Sequence, residues 1–218
     1  MKLFSAIACV LLFTLSARVY GQKEVDKTLL KGCHDIQLGI GDIAFATLYN
    51  ENNYVYAEPA IYSPYNWFSD GVYAGEKVST GVINLSYHYQ IENWFSVGLS
   101  VSYVGFYQNS YTNSTNKLAY SNITHNLAAM PDVRFTWLNK KYVKLYSGAA
   151  LGFVSVAQNY LDKNNSELST HDYSLYPAFQ IDFIGVSVGK DLYGFAKYGL
   201  GFEGFISAGI GYRFSSNK

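Results

Sequence analysis

The side-chain pattern over positions 176–214 limits this chain more than any other feature. One set of alternate residues is apolar: Phe179, Ile181 and Phe183, then Ala196, Tyr198, Leu200 and Phe202, then Ile206, Ala208, Ile210, Tyr212 and Phe214. The other set is small, polar or charged: Gln180, Asp182, Lys197, Gly199, Gly201, Ser207, Gly209, Gly211 and Arg213. Successive side chains leave a strand on opposite sides, so a period of two marks β-strands with two unlike faces. No helical period competes with it.

The same period recurs upstream. It predicts strands over 35–46, 77–91, 95–108, 122–138 and 142–157, which with the three C-terminal arms makes eight. Pro131 lies inside the fourth and removes a ladder donor, so a bulge or break is expected near Met130-Pro131. Tight connections fall at 92–93, 139–141 and 189–190. Longer polar ones fall at 48–76, 109–118 and 159–170. Matching apolar faces across each hairpin fixes loop parity. The 92–94 and 139–141 turns must be odd. The switch from odd to even after Phe183 asks for a two-residue turn, Gly189-Lys190, which suits type II′. That register sets Asp182 opposite Lys197, and an ion pair is expected there.

Positions 1–21 read as a secretory signal peptide: Lys2, an apolar run from Leu3 to Leu15, and a small-residue exit at Gly21. The run is too short to span a bilayer as a helix. Cleavage leaves residues 22–218, 218 − 21 = 197 residues, as one barrel domain. It removes Lys2 and Arg18, so the formal charge becomes (16 − 2) − 16 = −2. No basic patch asks for nucleic acid. Cys33 alone remains, which excludes an intramolecular disulfide.

Alternation alone does not say which face is outside. A lipocalin-like secreted binder would turn the apolar face inward, and a membrane barrel would turn it to lipid. Charged residues make up only 15% of the chain, too few to cover a water-facing surface, against 17% aromatics. The polar set is rich in Gly and Ser, which suits a crowded interior. Tyr87, Tyr89 and Trp137 sit near the tight turns, as in an interfacial girdle. The expected fold is therefore all-β, an eight-stranded antiparallel up-and-down transmembrane β-barrel.

Several stretches carry a resemblance: Met130-Pro131-Asp132-Val133, Leu145-Tyr146-Ser147, Gly194-Phe195-Ala196, Gly199-Leu200-Gly201 and Gly211-Tyr212-Arg213-Phe214. In these, and over most of the mature length, the chain resembles small outer-membrane β-barrel proteins of Gram-negative bacteria, in an uncharacterised branch. The resemblance implies insertion in the bacterial outer membrane, contact with its lipid, and recognition of the C-terminal strand by the barrel assembly machinery. It implies no activity and no cofactor. Members of the family usually end on the aromatic, whereas Ser215 to Lys218 follow Phe214 here.

Candidate chemistry is sparse. Gly39-Ile40-Gly41-Asp42-Ile43-Ala44 has a dinucleotide-binding spacing, but a Tyr/Asn loop follows where that motif needs a long helix. Cys33-His34-Asp35 sends neighbours to opposite faces of a strand. His88 and His171 are scattered. His125, with Ser121 and Thr124, is the candidate for an outer-membrane lipid-modifying enzyme. Asp132, Arg134, Lys144, Asp182, Lys197 and Arg213 fall on the interior face as ion-pair candidates, since buried charges demand partners. The 48–76 loop carries Tyr54, Tyr56, Tyr62, Tyr65 and Trp67. Such aromatic loops either bind an extracellular ligand or pack over the barrel mouth. The leading reading is a non-enzymatic structural or surface-interaction barrel. Alternatives are the lipid-modifying enzyme and the secreted binder.

Overall fold

A computed structural model of the chain describes residues 30–51, 72–112, 115–162 and 170–215. Nine strands form: β1 (Cys33–Gly41), β2 (Val72–Ser79), β3 (Val82–Glu92), β4 (Phe95–Thr112), β5 (Leu118–Asn139), β6 (Val143–Asp162), β7 (Thr170–Gly189), β8 (Leu192–Gly201) and β9 (Ile206–Ser215). A four-residue helix, α1 (Leu48–Glu51), follows β1. β2 and β3 both pair with β4 and are two halves of one strand interrupted at Thr80-Gly81. Counted so, eight strands form a ring, each antiparallel to the next, and β9 returns to β1 to close it. Closure leaves no unpaired edge along the ring, which a membrane requires.

Exposure settles which face looks outward. Ile83, Leu85, Leu99, Ile210 and Tyr212 are exposed, whereas Asn84, Ser86, Ser100 and Ser102 are buried. Val97 and Val101 alternate with buried Ser96, Ser100 and Ser102 and share the outward face. The apolar face is the outer one, which rules out the lipocalin-like arrangement. Tyr87, Tyr89, Trp94 and Trp137 ring the end that holds the tight turns.

Several local expectations need correction. The parity switch after Phe183 does not occur in the turn. Asp182 pairs with Gly199 and Ile184 with Tyr198, so Phe183 is an extra residue, a bulge. Phe183 and Ile184 then both face outward, Gly189 pairs with Tyr193, and the connection lies at 190–191. The 92–94 turn is not odd: Gln90 pairs with Ser96 and Glu92 with Phe95, so the extra residue is Ile91 in the strand and the connection is 93–94. The break expected at Met130-Pro131 is present but without a bulge: the β4–β5 register runs through Pro131 unbroken, opposite Leu99. Only the β6 side lapses, at Met130 and Pro131, and the register there is unchanged, 129 + 153 = 132 + 150 = 282. Strand one stops at Gly41 and not at Ala46. The long loops are shorter than expected, because β2, β4, β5, β6 and β7 continue into the Asn/Ser/Thr-rich segments. Lastly, Phe202 is fully buried and not in the outward set.

The strands are unequal. β5, β6 and β7 have 22, 20 and 20 residues, whereas β1, β8 and β9 have 9, 10 and 10. At about 3.3 Å per residue the short strands reach roughly 30 Å, enough for a tilted crossing and little more.

Candidate functional site

The barrel interior is where sequence and fold bring unusual chemistry together. Toward the tight turns it is charged. Alternation on β1, β3, β5, β6, β8 and β9 aims Asp35, His88, Asp132, Arg134, Lys144, Lys197 and Arg213 inward, and β7 adds Asp182. Glu203, on the short connection between β8 and β9, folds back into the same space and is buried. Counting Asp35, Asp132, Asp182 and Glu203 against Arg134, Lys144, Lys197 and Arg213, the interior balances at 4 − 4 = 0 with His88 neutral. Balance matters because an unpaired charge taken out of water costs several kcal/mol.

Three clusters result. Lys197 Nζ lies 3.3 Å from Asp182 Oδ2 and closer still to Glu203 Oε2. Ser100 donates to Glu203 Oε1, and Gln180 donates to Asp182 Oδ1 at 2.9 Å and accepts from the Glu203 amide at 3.0 Å. At the seam, Arg213 contacts Asp35 Oδ2 through Nη2 at 2.9 Å and Nε at 3.1 Å, and the Tyr193 hydroxyl donates to Asp35 Oδ1. The third cluster joins His88 Nε2 and Asp132 Oδ2 at 2.8 Å. Gln37 links the seam to Arg134, accepting from Nη2 at 2.9 Å and donating to Tyr193 at 2.8 Å.

Two of the six sequence candidates differ from the rest. Among the described residues, Arg134 makes no ion pair and is held by Gln37 and by the Tyr146 ring, 4.3 Å from its guanidinium carbon. Lys144 is buried and likewise makes no ion pair among the described residues. Sequence reasoning missed Asp35 and Glu203 as partners. Parity could have found Asp35, which shares odd numbering with the inward Gln37, but not Glu203, which lies past the end of β8 where the alternation has stopped.

Toward the other end the interior turns apolar. Ala46, Val82, Val104, Phe106, Ala128, Met130, Val154, Val156, Ala178 and Phe202 form one buried cluster. The segment after β1 folds into this mouth. Phe45 packs edge-on against Phe179, Tyr49 packs on Phe202, and the Tyr49 hydroxyl donates to the Pro177 carbonyl at 3.0 Å. Tyr54, Tyr56, Tyr62, Tyr65 and Trp67 lie outside the described residues.

The other candidates disperse. Cys33 and Asp35 point inward, while His34 stacks outside on Phe214 and bonds the Tyr87 hydroxyl at 2.7 Å. Gly39 and Gly41 stand in β1, and the helix that follows, α1, has only four residues, not the long helix a dinucleotide site needs. His125 bonds the Tyr103 hydroxyl at 2.8 Å and meets Tyr107 edge-on. Ser121 donates instead to Asn109 at 2.8 Å, and Thr124 is buried. Among the described residues no serine is bonded to His125, and its hydrogen-bond partner is the Tyr103 hydroxyl and not a nucleophilic serine.

A closed ring with an apolar exterior and a filled polar interior defines an eight-stranded transmembrane β-barrel of the outer-membrane type. No family model matches the sequence, and no curated relative matches it. Among solved structures the chain is similar to Ail, the attachment invasion locus protein of Yersinia pestis, in complex with the heparin analogue sucrose octasulfate. That likeness has 15% identity and a TM-score of 0.49, over 84% of this chain and 99% of that one. It is also similar to the N-terminal β-barrel domain of Pseudomonas aeruginosa OprF, with 12% identity and a TM-score of 0.42, over 84% of this chain and 98% of that one. The fold assignment stands on the ring and its two faces.

Proposed function

We propose that this chain is a closed, non-conducting barrel of the bacterial outer membrane with a structural or surface-interaction role. The observation that carries this reading is the apolar layer across the lumen. Phe202, Met130, Val104, Phe106, Val154 and Val156 are each 2% exposed or less. An ion crossing it would shed its water among aliphatic and aromatic groups, at large cost. Beneath, it would have to displace Lys197 or Arg134 from their partners. Eight strands leave a lumen that side chains fill, which supports the same view.

In this reading, residues 1–21 are removed on export and residues 22–218 insert. The assembly machinery engages β9 and its Phe214, lipid covers the exterior, and the loop end faces outward. The aromatic 52–71 segment, with Tyr54, Tyr56, Tyr62, Tyr65 and Trp67, is the surface for an extracellular ligand. Catalysis is disfavoured because His125 bonds Tyr103 and Ser121 bonds Asn109, while Thr124 points to the opposite, inward face. The test is conductance in a planar lipid bilayer. Purified, refolded protein should show no channel events, and steady unitary currents would overturn the closed-barrel reading. An altered lipid A mass profile that depends on His125 would revive the enzyme.

A further inference from the structure

We propose that the turn-side rim around Tyr142 binds the phosphate headgroup of an anionic phospholipid in the adjoining leaflet. Two connections converge there. The β5–β6 turn supplies Lys140 and Lys141, the β7–β8 turn supplies Lys190, and the Gly189 amide donates to the Tyr142 carbonyl at 2.8 Å, tying the two turns together. Lys141 Nζ and Lys190 Nζ each stand 5.6 Å from the centroid of the Tyr142 ring.

An aromatic face attracts one cation. Two ammonium groups on one ring repel each other unless an anion joins them. Among the described residues, Lys140, Lys141 and Lys190 make no ion pair, whereas Lys31 at the same end is satisfied by Glu92 at 2.5 Å. Asp191 sits in the β7–β8 turn, and its carboxylate makes no ion pair among the described residues either. The patch carries 3 − 1 = +2.

Position selects the kind of anion. The patch borders the lipid-facing belt: Tyr142, Val188 and Leu192 are 52%, 56% and 67% exposed. A phospholipid with its acyl chains on Val188 and Leu192 carries its phosphate level with the three ammonium groups. Free phosphate has no chains to gain from that belt. Lysines at a membrane surface strengthen binding to anionic lipid by roughly a few-fold each. The inference rests on the membrane-barrel reading.

The test uses the full chain in an uncharged detergent. Native mass spectrometry follows retention of dioctanoyl phosphatidylglycerol, dioctanoyl phosphatidylcholine or inorganic phosphate. The expected result is about tenfold stronger retention of phosphatidylglycerol than of phosphatidylcholine. The Lys140→Gln/Lys141→Gln/Lys190→Gln variant loses that preference, and Lys117→Gln, at the loop end, keeps it. Heat-dependent gel migration verifies that each variant is folded. Equal retention of the two lipids by the unaltered chain overturns the proposal. So does preference surviving in the triple variant, or displacement of the lipid by equimolar inorganic phosphate. A chain that never inserts into uncharged vesicles strikes the membrane reading itself, an outcome distinct from insertion without headgroup preference.

Discussion

Arg213 on the last strand and Asp35 on the first are direct partners across the β1–β9 seam, and their side chains meet at 2.9 Å inside the barrel. The contact spans 178 positions of sequence and forms only when the ring closes. Truncating Arg213 leaves a buried carboxylate whose remaining side-chain hydrogen bond, among the described residues, comes from Tyr193. We expect Arg213→Ala to destabilise the folded barrel by about 3 kcal/mol. Asp35→Ala should cost a similar amount, and the double variant should cost less than the sum of the two. Urea midpoints in detergent measure all three, and strict additivity would show that the pair is not coupled.

Lys197 sits between two carboxylates. Lys197→Met leaves Asp182 and Glu203 facing each other without a cation, at a cost of about 3–5 kcal/mol. Adding Asp182→Asn and Glu203→Gln removes the stranded charges. The triple variant should therefore recover most of the lost urea stability, and a triple variant no better than Lys197→Met would refute the charge account.

Phe202 fills the centre of the apolar layer. Phe202→Ala opens a cavity and should cost about 3–5 kcal/mol. Its bilayer trace should stay silent, because the charged layer below is untouched. Channel events in this variant would mean that Phe202 alone holds the lumen shut.

Two glycines one strand apart should behave differently. A Cβ on Gly209 would sit 2.1 Å from the Leu38 carbonyl oxygen, whereas one on Gly194 meets nothing nearer than 3.9 Å. Gly209→Ala should lower the fraction of chain that migrates as folded barrel on a gel without heating. Gly194→Ala should leave it unchanged within about 0.5 kcal/mol.

Leu85, 52% exposed on the outer wall, tests the orientation of the whole molecule. Leu85→Arg should cost about 2–4 kcal/mol in a bilayer. An insensitive Leu85 would be incompatible with a lipid-facing position.

Much of this architecture is legible in the sequence because lipid and a packed lumen each impose a composition on alternate residues. The inward set of the last three arms could be read residue by residue. Legibility fails where those two pressures stop. Above the membrane the ends of β4 and β6 face water, so Asn109 and Asn159 read as loop although they stand in ladders. The bulge at Phe183 is silent in composition, since Phe183 and Ile184 are both apolar and the change of phase can equally be assigned to the turn. Lys197 reaches Asp182 all the same, on a diagonal, because both face the lumen. Phe202 keeps the parity of the outward set, yet it follows Gly201, whose positive φ of 143° turns the chain inward.

The unequal strands give the molecule a direction within the plane of the membrane. Toward β5, β6 and β7 the wall stands about twice as high as at the β1–β9 seam. A partner arriving from outside meets a parapet on one flank and a low sill on the other. Any complex built on the tall flank would therefore be eccentric to the barrel axis, and the low flank would remain open to lipid or to a neighbouring protein standing beside it.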